Sequence, residues 1–375
     1  MTDTDEYDWT SRIASWKEAK EHCIGYPCNT IHTFQELYQE NDAGINSFAY
    51  NFNNVGDPFV DGLYSMNTKK EEREVLRFFA ELWNFDWSNV WGYITNSGTE
   101  GNMQGLLLAR ENFPDGVLYY SEESHYSITK IAKMLQMNSK IIKCRENGEM
   151  DYDDFEKQLD KDKPAIVCVT FGTTMKGAID NPRELQRILN KYNMGDSDKY
   201  YMHADAALMG FVLPFLELDT CYRRVVHSIS VSGHKMLGVP FPCGIFMTER
   251  RFVTNCSVEY IGSIDNTIMG SRNGHAALFM HNVMEKYGKD GLRKSAVDCL
   301  ERAEYMVECM RSRGVKNCWR NNNSITVVFP KVTNIDVCRK WQIASHKTIS
   351  HVVVMPQVTH QRINRFMHDL QFGLK

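Results

Sequence analysis

From Glu71 onward the apolar positions fall into two alternating rhythms. Val75, Leu76, Phe79, Leu82 and Trp83 recur at helical spacing and give one apolar face. Trp91–Thr95 then reads as a short strand, Thr99–Glu111 as a helix, Val117–Tyr120 as a strand and Ser127–Leu135 as a helix. Lys140–Lys143, Ala165–Thr170, Tyr200–His203 and His227–Val231 read as further strands, with helices over Tyr152–Leu159 and Pro182–Lys191. The alternation predicts an α/β protein with a mostly parallel sheet and helices on both faces. From about Lys289 the pattern changes. A long helix over Arg293–Arg311 precedes Ser324–Phe329, an expected antiparallel strand, and then more helix. Residues 1–60 show little periodicity and hold Asn-rich and aromatic patches such as Tyr50–Asn54 and Gly56–Phe59. The expected division is an N-terminal arm with loops over 1–60, a large domain over 61–288 and a small C-terminal α/β domain over 289–375. There is no internal repeat and no low-complexity tract.

Composition narrows the function. At 375 residues and 43% hydrophobic, the chain is long enough for one large domain and a smaller one. A net charge of −4 without any Lys/Arg block argues against nucleic acid and anionic membranes as partners. No apolar run approaches a membrane span. The acidic start, Met1 to Trp9, resembles neither a signal nor a transit peptide, so a cytosolic protein is expected. The 11 cysteines are odd in number and scattered, with Cys23 and Cys28 the closest pair, and no Cys-x-x-Cys occurs. They read as reduced thiols, and no metal site is expected.

Five motifs carry candidate chemistry. Thr95-Asn-Ser-Gly-Thr-Glu-Gly-Asn102 joins a strand to a helix; Ser97, Gly98 and Thr99 form either a plain N-cap or an anion site for a phosphate. Glu123-Ser-His-Tyr-Ser127 puts His125 after a strand, as a satisfied surface histidine or as a flat ring suited to stacking on a ligand. Phe171-Gly-Thr-Thr174 ends another strand; Thr173 either closes a turn or offers a hydroxyl to an acid or a cofactor oxygen. His203-Ala-Asp-Ala-Ala207 sets Asp205 against apolar chain, where a carboxylate caps a turn or needs a cationic partner. Ser230-Val-Ser-Gly-His-Lys235 supplies Ser232, His234 and Lys235. Taken alone, each is ordinary. Together, in this order, they offer what pyridoxal phosphate needs: a phosphate cradle, a ring stacker, an acid for the pyridinium nitrogen and an amine for a Schiff base.

Those residues carry a family resemblance. The segments 91–102, 113–121, 124–127, 203–208, 231–236 and 270–275 resemble the group II pyridoxal-phosphate amino-acid decarboxylases of fold type I, from about Gly25 to the C-terminus. Within them the chain is most similar to the branch containing bacterial histidine decarboxylases and plant serine decarboxylases. The resemblance implies a fold type I, transferase-like architecture with a mostly parallel seven-stranded sheet. It implies Lys235 as the Schiff-base lysine, Asp205 as partner of the ring nitrogen and His125 as the stacked imidazole. Ser97, Gly98, Thr99, Ser232 and His234 would hold the phosphate. It further implies a homodimer with active sites at the interface, which Gly270–Gly274 would reach across. Loss of CO2 leaves electron density at Cα, and a proton must then arrive there; Tyr260, in Ser257–Ser263, is the expected donor and His125 the runner-up.

The substrate is less directly legible. Cys318–Arg320 with Asn323–Pro330, Gly98–Met103 and His203–Leu208 look like the histidine branch. Ser350–Pro356 and Gly56–Phe59 look like the plant serine branch, and the bacterial histidine enzymes carry a different sequence near 351–356. On balance these motifs favour L-histidine, giving histamine and CO2; the alternative is L-serine, giving ethanolamine. Tyr26, Asn53, Asn54, Asp57 and Ser324 are the expected substrate contacts. An aminotransferase on the same fold would need an arginine to retain the carboxylate, for which Arg272 and Arg320 are candidates. A non-catalytic relative is disfavoured by Lys235, Asp205 and His125 occurring together.

Overall fold

The alternating segments assemble into a seven-stranded sheet in the order β1-β7-β6-β5-β4-β2-β3. Its strands are β1 (Val90–Thr95), β2 (Val117–Ser121), β3 (Ser139–Ile142), β4 (Ala165–Thr170), β5 (Tyr200–Asp205), β6 (Ser228–Ser232) and β7 (Gly244–Glu249). The computed structural model describes residues 9–32, 50–195, 198–216, 225–254 and 256–370. The acidic start at residues 1–8 and the stretch 33–49 of the expected arm lie outside the described residues. The pairs β3–β2, β2–β4, β4–β5 and β5–β6 are parallel. β7 runs antiparallel to both of its neighbours, β6 and β1. It is the strand that periodicity did not reveal. Its run Gly-Ile-Phe-Met-Thr-Glu is short and uniformly apolar at its centre, a pattern that does not distinguish strand from buried helix. Every residue of β1, β4, β5 and β6 is buried, because helices cover both faces of the sheet.

The covering helices are α2 (Lys69–Leu82), α3 (Gly98–Asn112), α4 (Tyr126–Met134), α5 (Tyr152–Gln158) and α6 (Pro182–Lys191), preceded in the chain by α1 (Trp9–Glu21). α1 was not expected. Its apolar residues Ile13 and Trp16 are exposed, so it carries no buried stripe for periodicity to detect. Helix starts follow the capping signals. Ser97, Asp151 and Asn181 each accept a backbone N–H of the first turn, and Pro182 opens α6.

The long helix expected over 293–311 begins much earlier. α7 spans Gly274–Ser312 and is broken at Gly288, whose φ of 57° only glycine adopts freely. Beyond it, β10 (Trp319–Arg320), β11 (Thr326–Pro330), β12 (Ala344–His346) and β13 (Ile349–Val353) form a small antiparallel sheet in the order β10-β11-β13-β12. α8 (Ile335–Trp341) and α9 (His360–Leu370) accompany it. The segment before α2 docks there: the Gly25 N–H donates to Trp341 O (3.2 Å) and the Val353 N–H to Ile24 O (3.2 Å). A Cβ on Gly25 would stand 2.1 Å from the Gln342 carbonyl oxygen, so only glycine permits this approach. No helix among the described residues is long and apolar enough to cross a membrane.

Two histidines are locked inside the sheet. His203 Nε2 donates to Asn102 Oδ1 (3.0 Å), leaving Nδ1 to accept from the Ser228 hydroxyl (2.7 Å). His227 Nδ1 accepts the Met202 N–H (2.9 Å). Burial pushes both imidazoles down to about 3. The unfolded chain takes up protons at these residues as pH falls below about 6.5, while the folded chain does not. Folding stability is therefore expected to fall as pH drops from 6.5 toward 5, in urea denaturation at fixed ionic strength. His203→Gln should decline less steeply over that window than the parent.

Candidate active site

The carboxyl ends of the parallel strands converge on one cavity of about 460 Å³. Ser97, Gly98 and Thr99 follow β1, His125 follows β2, Thr170 ends β4, Asp205 ends β5, and Ser232 to Lys235 follow along β6; all but Gly233 line it. Ligand crevices form at this edge because the connections leave the strand ends open there. The opposite wall comes from the N-terminal loop, through Gly25, Tyr26 and Cys28, and from the small sheet, through Ala344, His351 and Val353.

The connection from β6 to β7 holds Lys235. An antiparallel return needs no crossover helix, so the segment is short and fastened at both ends. Ser232 pairs with Gly244, and the Gly233 N–H donates to Cys243 O (2.9 Å). The Asn29 N–H donates to Lys235 O (3.2 Å), and Asn29 Nδ2 to Met236 O (3.0 Å). Burial lowers the Lys235 amine below the ordinary lysine value, and the carboxylate of Asp205 partly opposes that shift. Asp205 is 3% exposed, and the Ala207 N–H donates to its Oδ1 (3.1 Å).

His125 caps α4. The Ser127 N–H donates to its Nδ1 (3.3 Å), so in the neutral ring Nε2 carries the hydrogen. Burial lowers its imidazole; Asp205 opposes the shift and Lys235 adds to it. His234 is likewise lowered by burial, and its Nδ1 lies 3.0 Å from the Cys243 carbonyl. At the start of α3 the Ser230 hydroxyl donates to Gly98 O (2.9 Å). A Cβ on Gly98 would stand 2.6 Å from Ser232 Oγ, so glycine is required for the helix terminus to press against β6.

Several expected site residues stand elsewhere. Thr173 is buried beneath the cavity wall, its Oγ1 accepting the Ala178 N–H (2.9 Å); besides Thr99, the threonines that line the cavity are Thr170 and Thr174. Tyr260 sits on a turn between β8 (Ser257–Val258) and β9 (Ser263–Ile264), is 75% exposed and does not line this cavity. Asn53, Asn54 and Asp57 fasten a loop rather than face a ligand. Asn53 Oδ1 accepts the Arg272 N–H (3.1 Å), Asn54 Nδ2 donates to Glu72 Oε2 (2.9 Å), and Asp57 Oδ2 accepts the Trp91 indole N–H (2.7 Å). Ser324 is fully buried, its Oγ accepting the Thr326 N–H (3.1 Å). Of the expected substrate contacts, Tyr26 alone lines the cavity. Both candidate clamps are already paired, Arg272 with Glu72 and Arg320 with Glu304 (2.7 Å). Cys28 was not anticipated, and His351 was singled out only as part of Ser350–Pro356; each reaches the cavity through the docking of the N-terminal loop and the small sheet.

Residues 72–331 match the family described as the pyridoxal-dependent decarboxylase conserved domain. The chain belongs to the pyridoxal-dependent decarboxylases. It is 42% identical over 352 residues to serine decarboxylase 3 of Oryza sativa subsp. japonica, across 92% of this chain and 77% of that protein. It is 43% identical over 358 residues to the histidine decarboxylase of Vibrio anguillarum, across 94% and 90%. The L-methionine decarboxylase of Streptomyces sp. 590 superimposes with a TM-score of 0.84 over 96% of this chain and 93% of that one; at 24% identity the likeness shows a common fold. This is a pyridoxal-phosphate-dependent amino-acid decarboxylase of fold type I.

The residues present fit the cofactor. A helix N-terminus that tolerates no side chain at Gly98 suits a phosphate, and a buried carboxylate at Asp205 suits a pyridinium N–H. A lysine amine lowered by burial suits imine formation. The decarboxylase also depends on the loop network beside this site. Glu72 accepts the Ile94 N–H (2.8 Å) and pairs with the Arg272 guanidinium, which donates to Gly56 O (2.9 Å), all in the interior. Glu72→Gln is expected to leave a buried guanidinium without its counter-charge and to destabilise the fold by about 3–5 kcal/mol, read by urea denaturation.

Proposed function

We propose that this decarboxylase acts on L-serine, releasing CO2 and ethanolamine, with L-histidine as the second reading. The observation that carries it is the position of β13. His351 and Val353 line the cavity, which supports giving the segment that resembles the plant serine branch a part in substrate contact. Of the histidine-like motifs, Cys318–Pro330 lies away from the cavity, while residues of Gly98–Met103 and His203–Leu208 line it at positions that this reading gives to the cofactor. The identity to the Vibrio histidine decarboxylase is what keeps the second reading.

When bound, the cofactor supplies an aldehyde for the substrate amine and a ring that accepts electron density. The chain supplies the rest. In this reading Ser97, Gly98, Thr99, Ser232 and His234 hold the phosphate at the start of α3, and His125 covers the ring face. Asp205 keeps the ring nitrogen protonated by favouring the cation. Lys235 would hold the cofactor through its amine and give it up to the substrate amine, and burial, which lowers the Lys235 amine, would favour its neutral form. Among the described residues no arginine lines the cavity, which fits a site that releases the scissile carboxylate rather than retaining it. Within one chain the Cα proton falls to His125.

Tyr260 supplies that proton only from a second copy, which the proposed homodimer provides. Leu63, packed over Gly262, and Tyr260 are 72% and 75% exposed, and large apolar side chains left bare in adjoining turns suit an interface between subunits. The same reading keeps the domain division at 1–60, 61–288 and 289–375, supported by the break in α7 at Gly288. It also assigns the protein to the cytosol, which fits the described cysteines being free thiols.

CO2 release should occur with L-serine at a kcat/KM at least about tenfold above that with L-histidine. Lys235→Ala should release none and lack the visible cofactor band that borohydride abolishes in the parent. A reversed preference selects histidine. Leu63→Glu should shift the protein from dimer to monomer in sedimentation velocity and lose most of its CO2 release.

A further inference from the structure

β13 runs between β11 and β12, with His351 opposite Val328 and Ala344. Alternate residues of a strand point the same way. His351 and Val353 turn to the cavity with Ala344, while Ser350 turns back, its Oγ accepting the Val332 N–H (3.0 Å). His351 is 2% exposed, and its Nδ1 has no hydrogen-bond partner. Among the described residues, it is the one buried and unpartnered side-chain polar atom on a residue lining the Lys235 cavity. Folded proteins rarely leave such an atom unmatched without a use for it.

Burial pushes the His351 imidazole down to about 4, so the ring is neutral near pH 7. A neutral ring offers one donor and one acceptor. It has no charge with which to retain a carboxylate, and it matches a neutral polar group that both donates and accepts. On a serine substrate that group is the side-chain hydroxyl. We propose that His351 is the specificity-determining residue of this decarboxylase, its imidazole, which has an Nδ1 without a partner in the chain, hydrogen-bonding the polar side chain of the substrate amino acid. This rests on the reading of L-serine as substrate, with L-histidine presenting its ring nitrogen in the same way.

The test compares the loaded parent with His351→Leu, which keeps volume and removes both polar atoms, and His351→Asn, which keeps a polar atom near the Nδ1 position. L-serine is measured against L-2-aminobutyrate, in which a methyl replaces the hydroxyl. Parent CO2 release from L-serine or L-histidine is measured first; if neither is turned over, the reading of the reaction falls before His351 is tested. If the parent prefers L-histidine, L-phenylalanine replaces 2-aminobutyrate as the apolar counterpart. The expected result is that His351→Leu loses about tenfold or more of the preference for the polar substrate, chiefly through KM, and that His351→Asn restores part of it. The dissociation constant of L-serine methyl ester (L-histidine methyl ester in the second case), by calorimetry, should rise by a similar factor. Equal losses on the polar and apolar substrates, or an unchanged ratio, would overturn the proposal. Should His351→Leu not fold, His351→Met carries the same comparison with a side chain that adapts to irregular space.

Discussion

The structure turns on a lysine amine and a carboxylate both kept out of water at the edge of a parallel sheet. Burial lowers the Lys235 amine, and the carboxylate of Asp205 opposes that shift. What fixes the pair is the reversal of β7. β5 and β6 lie side by side in parallel, with Asp205 the last residue of β5 and opposite Ser230. β6 then turns straight back into β7 instead of crossing over through a helix. Lys235 is thereby carried on a connection tied down at Ser232–Gly244 and at Gly233–Cys243. A longer, looser connection would leave the amine free to find water.

A second constraint shapes the surroundings. Residues 52–57 and 270–274 are tied to α2 by one interior network around Glu72 and Arg272. A buried ion pair is costly to form and costly to break, so it selects one arrangement of these loops over others of similar packing. The small sheet and the N-terminal loop then close the cavity from the far side, with Ile24 bonded to Val353 and Gly25 pressed against Gln342. The reactive edge belongs to the large sheet. The opposite wall of the cavity belongs to the part that differs most from it in architecture.

Much of the reactive edge was legible in the chain. Lys235, Asp205, His125 and the turn at Ser97–Thr99 each follow a strand with a clear apolar signature, and the carboxyl ends of parallel strands meet by geometry. Local order was therefore enough to predict that they meet. Thr173 and Thr170 illustrate the limit. They lie on the same strand end, and which one lines the cavity depended on the turn that gives Thr173 Oγ1 to Ala178. Asn53, Asn54 and Asp57 looked like recognition residues because they are polar and clustered. Their partners, Glu72, Trp91 and Arg272, are distant in sequence, and nothing local revealed that those partners consume them.

By itself the sequence determined the class of fold, the cofactor and the strand-end residues that line the cavity. Those depend on short-range patterns: the period of burial, the cap before a helix, the small residues around a lysine. Tertiary structure alone decided which further side chains line the cavity. His351 and Cys28 are ordinary core residues until two remote segments dock over the sheet edge. That docking is set by close backbone approach and by hydrogen bonds between Ile24 and Val353, contacts that span most of the chain and leave no periodic trace in it.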